Sequence, residues 1–155
     1  MTYQEKFPKK KVLPPAALAH KKVKLKSISK LKKDADKWCS LYVRQKEADH
    51  EGVVGCYTCP KRGHWKTLQA GHFVSRLYSI TRFDYRDNIR VQCVGCNIWG
   101  RGKTNIFAGN LLKEIGTKRF AALLLRSREN HQFTRKELEE IIRTFKEKVA
   151  NLNNL

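Results

Sequence analysis

The residues able to do chemistry crowd into the stretch from Cys56 to Asn97. It opens with Cys56-Tyr57-Thr58-Cys59 and closes with Cys93-Val94-Gly95-Cys96-Asn97. Two C-x2-C pairs supply four thiolates, the number a tetrahedral zinc ion takes, and each two-residue spacer lets a tight turn aim both sulfurs at one ion. Between Cys59 and Cys93 lie 33 residues, a span that suits two knuckles clamping a separate insert. A closed shell of four thiolates leaves no position for a substrate, so a zinc bound at Cys56, Cys59, Cys93 and Cys96 holds shape rather than reacts. His64 could stand in if one cysteine did not ligate.

The insert carries a second set of groups, of the kind that phosphodiester cleavage needs. A base must take a proton from water, and a hard divalent ion must stabilise charge on the phosphate and the leaving oxygen. His72 is the candidate base, because an imidazole can be neutral near pH 7. Alone it would read as a structural histidine in a hairpin; its place between two knuckles argues otherwise. Asn97 can offer a side-chain oxygen to Mg²⁺ or Mn²⁺, and Mg²⁺ accepts few protein oxygens while keeping several waters. The plainer role for Asn97 is a helix cap. Asn88 can bond backbone and hold the hairpin that presents His72, or serve as an ordinary turn asparagine. Asp84 is the expected second ligand of the cation, with Asp87 as the fallback. Arg76, Arg82, Arg101 and Lys103 flank these positions and would contact phosphates. Tyr78, Tyr85 and Trp99 could stack on opened bases or pack in the core.

The pattern around these residues predicts how they are positioned. Residues 1–27 form a basic arm around Pro14 and Pro15 with no apolar period, expected to be disordered or loosely docked. Residues 28–155 form one domain: a helix over 28–50, a zinc-held core over 53–104 and a helical part over 105–155. Ile28, Leu31, Ala35, Trp38 and Tyr42 recur at helical spacing, with Lys30, Lys33, Lys37 and Arg44 opposite. Ser27 or Ser29 caps the start and Gly52 the end. Alternation puts Leu68, Ala70 and His72 on one strand face, and Ile89-Arg90-Val91 suits the partner strand. The segment 74–86 reads as loop. A short helical turn follows Asn97, then a helix over 105–115 closed by Gly116, then another over 117–128. Thr134-Arg135-Lys136-Glu137 is a capping box opening the last helix. The fold class is therefore α+β.

Composition narrows the partners. The 155 residues carry 33 Lys and Arg against 14 Asp and Glu, a formal charge of +19, with 41% hydrophobic residues. That is enough apolar content for a modest core and a balance that favours a polyanion, of which nucleic acid is the commonest. No apolar run approaches bilayer length, and the first residues are Lys- and Pro-rich rather than apolar, so a cytoplasmic location is expected. Thiols stay reduced there, which favours metal over disulfides for the paired cysteines. Cys39 falls in the helical pattern as a small buried hydrophobe.

The order of His72 and Asn88 between the knuckles, then Asn97 directly after the last cysteine, is the skeleton of an HNH nuclease. With Lys30-Leu31-Lys32-Lys33-Asp34-Ala35-Asp36, His64-Trp65-Lys66, Gly71-His72-Phe73, Thr81-Arg82-Phe83-Asp84 and Gln92-Cys93, the chain resembles the NinG family of phage recombination proteins, which includes the lambdoid Rap endonuclease. The layout is also similar to phage endonuclease VII resolvases. The resemblance implies a ββα-metal core, a homodimer, and a nuclease for branched DNA such as Holliday junctions. Cleavage would leave a 5′-phosphate and a 3′-hydroxyl. Two positions depart from these patterns: Gly71 stands where many HNH nucleases place an Asp or His ligand, and Gly100-Arg101-Gly102-Lys103 replaces a Gly-Asn pattern after the second knuckle. The rival expectation is a non-catalytic, zinc-stabilised DNA-binding recombination mediator. A basic ribosome-associated zinc protein ranks third.

Overall fold

A computed structural model describes residues 25–78 and 80–153. The expected basic arm, save residues 25–27, lies outside them. Helix α1 (Ile28–Lys46) starts where Ser27 accepts the Lys30 N–H on its hydroxyl. It stops at Lys46, short of the expected His50, and Gly52 (φ 76°) turns the chain into the next strand instead. Strands β1 (Val53–Gly55) and β2 (Arg62–His64) pair antiparallel across the first knuckle. Strands β3 (Gln69–His72) and β4 (Ile89–Gln92) form a second antiparallel pair, with Gly71 opposite Arg90 and His72 opposite Ile89. The loop between them, residues 73–88, is long and irregular, as its composition predicts.

After β4 the chain makes a π-helical turn, Gly95–Trp99, and a 3-10 turn, Arg101–Lys103. Helix α2 (Thr104–Arg126) follows, and Gly116 (φ 78°, ψ 163°) breaks it. Only glycine takes that backbone without strain, so α2 is two helical pieces, close to the predicted pair. Helix α3 (Arg135–Leu152) opens with the predicted capping box: Thr134 Oγ1 accepts the Glu137 N–H at 3.3 Å and Glu137 accepts the Thr134 N–H at 2.7 Å.

The architecture is α+β. Helices α1 and α3 pack side by side, and α1 also lies against the β3–β4 pair. The buried stripe of α1 is Leu31, Ala35, Cys39 and Val43, a strict four-residue row, while Ile28 at its start is exposed. The predicted row through Trp38 and Tyr42 is its half-buried flank. The main core joins Cys39 and Val43 to Val54, Leu68, Ile89, Val91 and Phe145. A second core holds Phe107, Leu111, Ile115 and Leu123 of α2 against Val74. Among the described residues no helix is long and apolar enough to cross a membrane.

Candidate functional site

The two knuckles meet. The sulfurs of Cys56, Cys59, Cys93 and Cys96 all lie within 4.8 Å of one another, and Cys59 Sγ is 3.8 Å from Cys93 Sγ. A zinc–sulfur bond of about 2.3 Å in a tetrahedron requires a sulfur–sulfur edge of about 3.8 Å, so the four thiols could hold a structural metal such as zinc. The donors around Cys56 favour its thiolate. Burial opposes ionisation, but the Cys93 and Thr58 N–H groups outweigh it and the thiol falls to about 6. Backbone bonds tie the cluster to the sheet, with Tyr57 N donating to Val91 O at 2.8 Å. His64 is not in the cluster; its Nδ1 accepts the Lys66 N–H at 3.2 Å and caps a short turn.

Beside the clamp lies a cavity of about 430 Å³ lined by Asp36, Arg44, Gln69, His72, Arg82 and Asn97, among others. His72 ends β3, on the sheet face of Ala70 and Ile89. Its Nε2 is 3.0 Å from the carbonyl oxygen of Arg82. A carbonyl only accepts, so Nε2 carries the proton and Nδ1 is left with its lone pair. Burial lowers the pKa of His72, against the opposing pull of that carbonyl bond. The ring is therefore neutral at pH 7, with a basic nitrogen available.

Asn97 sits in the π-helical turn, and its NH₂ donates to Gln69 Oε1 at 2.7 Å. That bond fixes the amide and leaves its oxygen as the atom able to ligate a cation. Asn88 is fully buried and does what a loop-closing residue must: its Oδ1 accepts the Val74 N–H at 2.7 Å, and its Nδ2 donates to Val74 O at 3.0 Å and Thr81 O at 2.9 Å. It staples both ends of the loop that bears Arg76 and Arg82.

Two expected residues take other places. Asp84 does not line the cavity. Its Oδ1 accepts the Arg86 and Asp87 N–H groups and its Oδ2 pairs with Arg126 at 2.6 Å. Asp87 is paired with Arg119 and Arg126. Both carboxylates are spent on a turn and on α2. Arg82 is an internal brace rather than a free surface charge. Its Nε and Nη2 grip Asp36 at 2.9 and 2.6 Å, and its Nη1 donates to Arg76 O at 2.8 Å. Arg76, Arg101 and Lys103 stay exposed, and Arg76 lines the cavity.

The sequence reading missed three cavity residues. Asp36 is the carboxylate that does line the cavity; the helix offers two acidic residues, Asp34 and Asp36, and nothing local separates them. Arg44, expected on the basic face of α1, is half-buried and donates to Trp65 O and Leu68 O at 3.1 and 3.4 Å, fastening α1 to the approach of β3. Gln69 orients Asn97. Tyr85, a stacking candidate, packs edge-on to Tyr42 at 5.2 Å and Phe145 at 5.7 Å, whereas Tyr78 and Trp99 are exposed.

The departure at Gly71 has a steric cause. A Cβ there would stand 2.0 Å from Gln92 Oε1 and 2.7 Å from Gln92 Cδ. Gln92 is fully buried and its Nε2 donates to Thr58 Oγ1 and Gly102 O at 2.9 and 2.8 Å. Its side chain fills the space that any side chain at position 71 would need.

These features define a basic α+β protein with a four-cysteine clamp beside a histidine-bearing cavity. The family described as Bacteriophage Lambda NinG protein matches residues 4–154, and the chain belongs to that family. No curated protein and no solved structure matches it.

Proposed function

We propose that the chain is a structure-selective DNA endonuclease of the HNH type. Its substrates would be branched recombination intermediates, Holliday junctions and three-strand structures among them. The observation that carries this reading is His72, whose Nε2 is committed to the Arg82 carbonyl at 3.0 Å, leaving Nδ1 as a base in a cavity shared with Asn97. The β3–β4 pair followed by the turn that bears Asn97 is taken as the ββα-metal core.

His72 Nδ1 would take a proton from the attacking water. The Arg82 carbonyl steadies the resulting imidazolium by accepting its Nε2–H, and Asp36 holds Arg82 in place. The cavity offers the Asn97 amide oxygen, a donor that suits Mg²⁺ or Mn²⁺, while both Asp36 oxygens are held by Arg82. Such an ion, when bound, supplies stabilisation of charge on the phosphate and the leaving oxygen. Exposed Arg76, Arg101 and Lys103 would contact the flanking phosphates. Zinc in the cysteine clamp would fix β4 and the Asn97 turn. Two copies as a homodimer would set two sites against opposed strands.

A second reading, a zinc-stabilised recombination mediator without catalysis, is favoured by Gln92, which blocks a metal ligand at position 71. Cleavage of a labelled four-way junction and a matched linear duplex, with Mg²⁺, with Mn²⁺ and with neither, separates the two. Metal-dependent nicking near the crossover that His72→Ala abolishes, with binding kept, is the expected result. Tight junction binding with no cleavage under either metal would leave the mediator reading.

A further inference from the structure

We propose that Trp99 is a base-stacking wedge that reads the branch point, its occupant a nucleobase unstacked where DNA strands diverge. The inference rests on the reading of the chain as a branched-DNA protein. Trp99 is 82% exposed, and its neighbours Ile98 and Val94 are 53% and 39% exposed. Trp99 packs little against its own protein. It ends the π-helical turn that contains the clamp residue Cys96, where Cys93 O accepts the N–H groups of both Cys96 and Asn97 and Gly100 N–H closes on Gly95 O at 2.7 Å. Asn97 and Ile98 of the same turn line the cavity that holds His72. The aromatic face is thus anchored two residues from a site residue, on a support that a metal in the clamp would make rigid.

Charge complementarity selects the occupant. The residues just after Trp99 are Arg101 and Lys103, both exposed and both held at positive φ (48° and 44°), a conformation that costs non-glycine residues energy and persists where the surroundings enforce it. Arg76 lines the same cavity. An apolar aromatic platform bordered by cations is the arrangement that binds single-stranded nucleic acid, the bases on the ring and the phosphates on the charges. A continuous duplex offers no free base face, while a junction does, so Trp99 would contribute to branched DNA alone.

Fluorescence binding to a four-way junction carrying 2-aminopurine at the crossover, and to a linear duplex of the same sequence, tests this without added divalent ions. Trp99→Ala should weaken junction binding about tenfold, leave duplex binding within about twofold, and lose the quenching of 2-aminopurine; Trp99→Phe should keep most of all three. Equal losses on junction and duplex, no loss on either, or no preference of the wild type for the junction would overturn the proposal. So would a changed oligomeric state with unchanged junction affinity, which would make the patch a contact between copies. Because no cleavage is measured, a chain that never cuts DNA can still pass, and a nuclease can still fail.

Discussion

Substituting Gly71 by alanine should destabilise this protein more than almost any other single-methyl change. The added carbon would lie 2.0 Å from Gln92 Oε1, 2.7 Å from Cδ and 3.0 Å from Cγ. A side-chain tip can swing away cheaply when it is free. Gln92 is not: it is wholly buried, and its amide holds Thr58 Oγ1 and Gly102 O. Moving it costs about 1–3 kcal/mol in overpacking and strands two buried acceptors at about 1 kcal/mol or more each, so the loss should be about 3–5 kcal/mol. With a urea m-value of about 2 kcal/mol per molar, the midpoint should fall by about 1.5–2.5 M. Gln92→Ala alone forfeits the two bonds but vacates the space, so the Gly71→Ala, Gln92→Ala double variant should lose no more than Gln92→Ala alone, and the losses should fail to add by about 3–5 kcal/mol. A Gly71→Ala variant within about 0.5 kcal/mol of wild type, or full additivity in the cycle, would refute the idea that Gln92 is what excludes a side chain at position 71.

Replacing Asn88 by alanine should cost about 2–3 kcal/mol in a denaturant titration, since it orphans the buried Val74 N–H and carbonyl and leaves the Thr81 carbonyl only the Asp84 N–H; a change below about 1 kcal/mol would show that the loop closes without it. Metal analysis should find about one zinc per chain, lost together with folded signal when Cys93 becomes serine. With the clamp metal bound and the chain folded, Cys39 should stay silent toward a thiol reagent, because burial, with Asp36 and Asp84 nearby, pushes its thiol up to about 12; early labelling of Cys39 would contradict its place on the buried face of α1. The pH dependence follows from His72. Its folded pKa is lowered chiefly by burial, and under the proposed mechanism the neutral ring would be the base, so cleavage should persist as pH falls through about 6.5, the ordinary histidine value, and fade only below it. By linkage the same group adds stability that is complete above about 6.5 and is lost as pH falls through the lower folded value. An acid limb at or above 6.5 would count against His72 as the titrating base.

What could be read from the sequence divides along physical lines. The cysteine knuckles, the Thr134 capping box and the break at Gly116 are written in local chemistry, and each reappears in the fold. The pairing of β3 with β4 was legible because alternation over four residues puts Ala70 and His72 on one face. The cavity was less so, because its members come from α1, β3, the 73–88 loop and the π-helical turn. Nothing in the local pattern ties Asp36 to Arg82, 46 positions later in the chain. Asp84 looked like the better carboxylate because it is close in sequence to Asn88, yet an Asp beginning a turn tends to spend its oxygens on the N–H groups just ahead, and Asp84 does so. The stripe on α1 slipped by one residue because Trp38 and Tyr42 are large enough to be counted as core while only flanking it.

The site's assembly gives the clamp a role beyond stability. His72 and the clamp lie at opposite ends of one short sheet: Gln69, at the start of β3, pairs with Gln92, next to Cys93, while His72 pairs with Ile89. The second knuckle carries Asn97, and Gln69 binds the Asn97 amide. The cysteines therefore set the distance between His72 and Asn97 through only four residues of each strand. Asp36 reaches the same histidine from the other side, by way of Arg82 and its carbonyl, and so makes the ring's orientation depend on α1 being docked. Asp36→Asn should weaken that brace without touching the clamp. Junction binding and zinc content should then hold while single-turnover cleavage falls about tenfold or more. If cleavage were unchanged, the Arg82 carbonyl would have to be held by the loop alone, through Asn88.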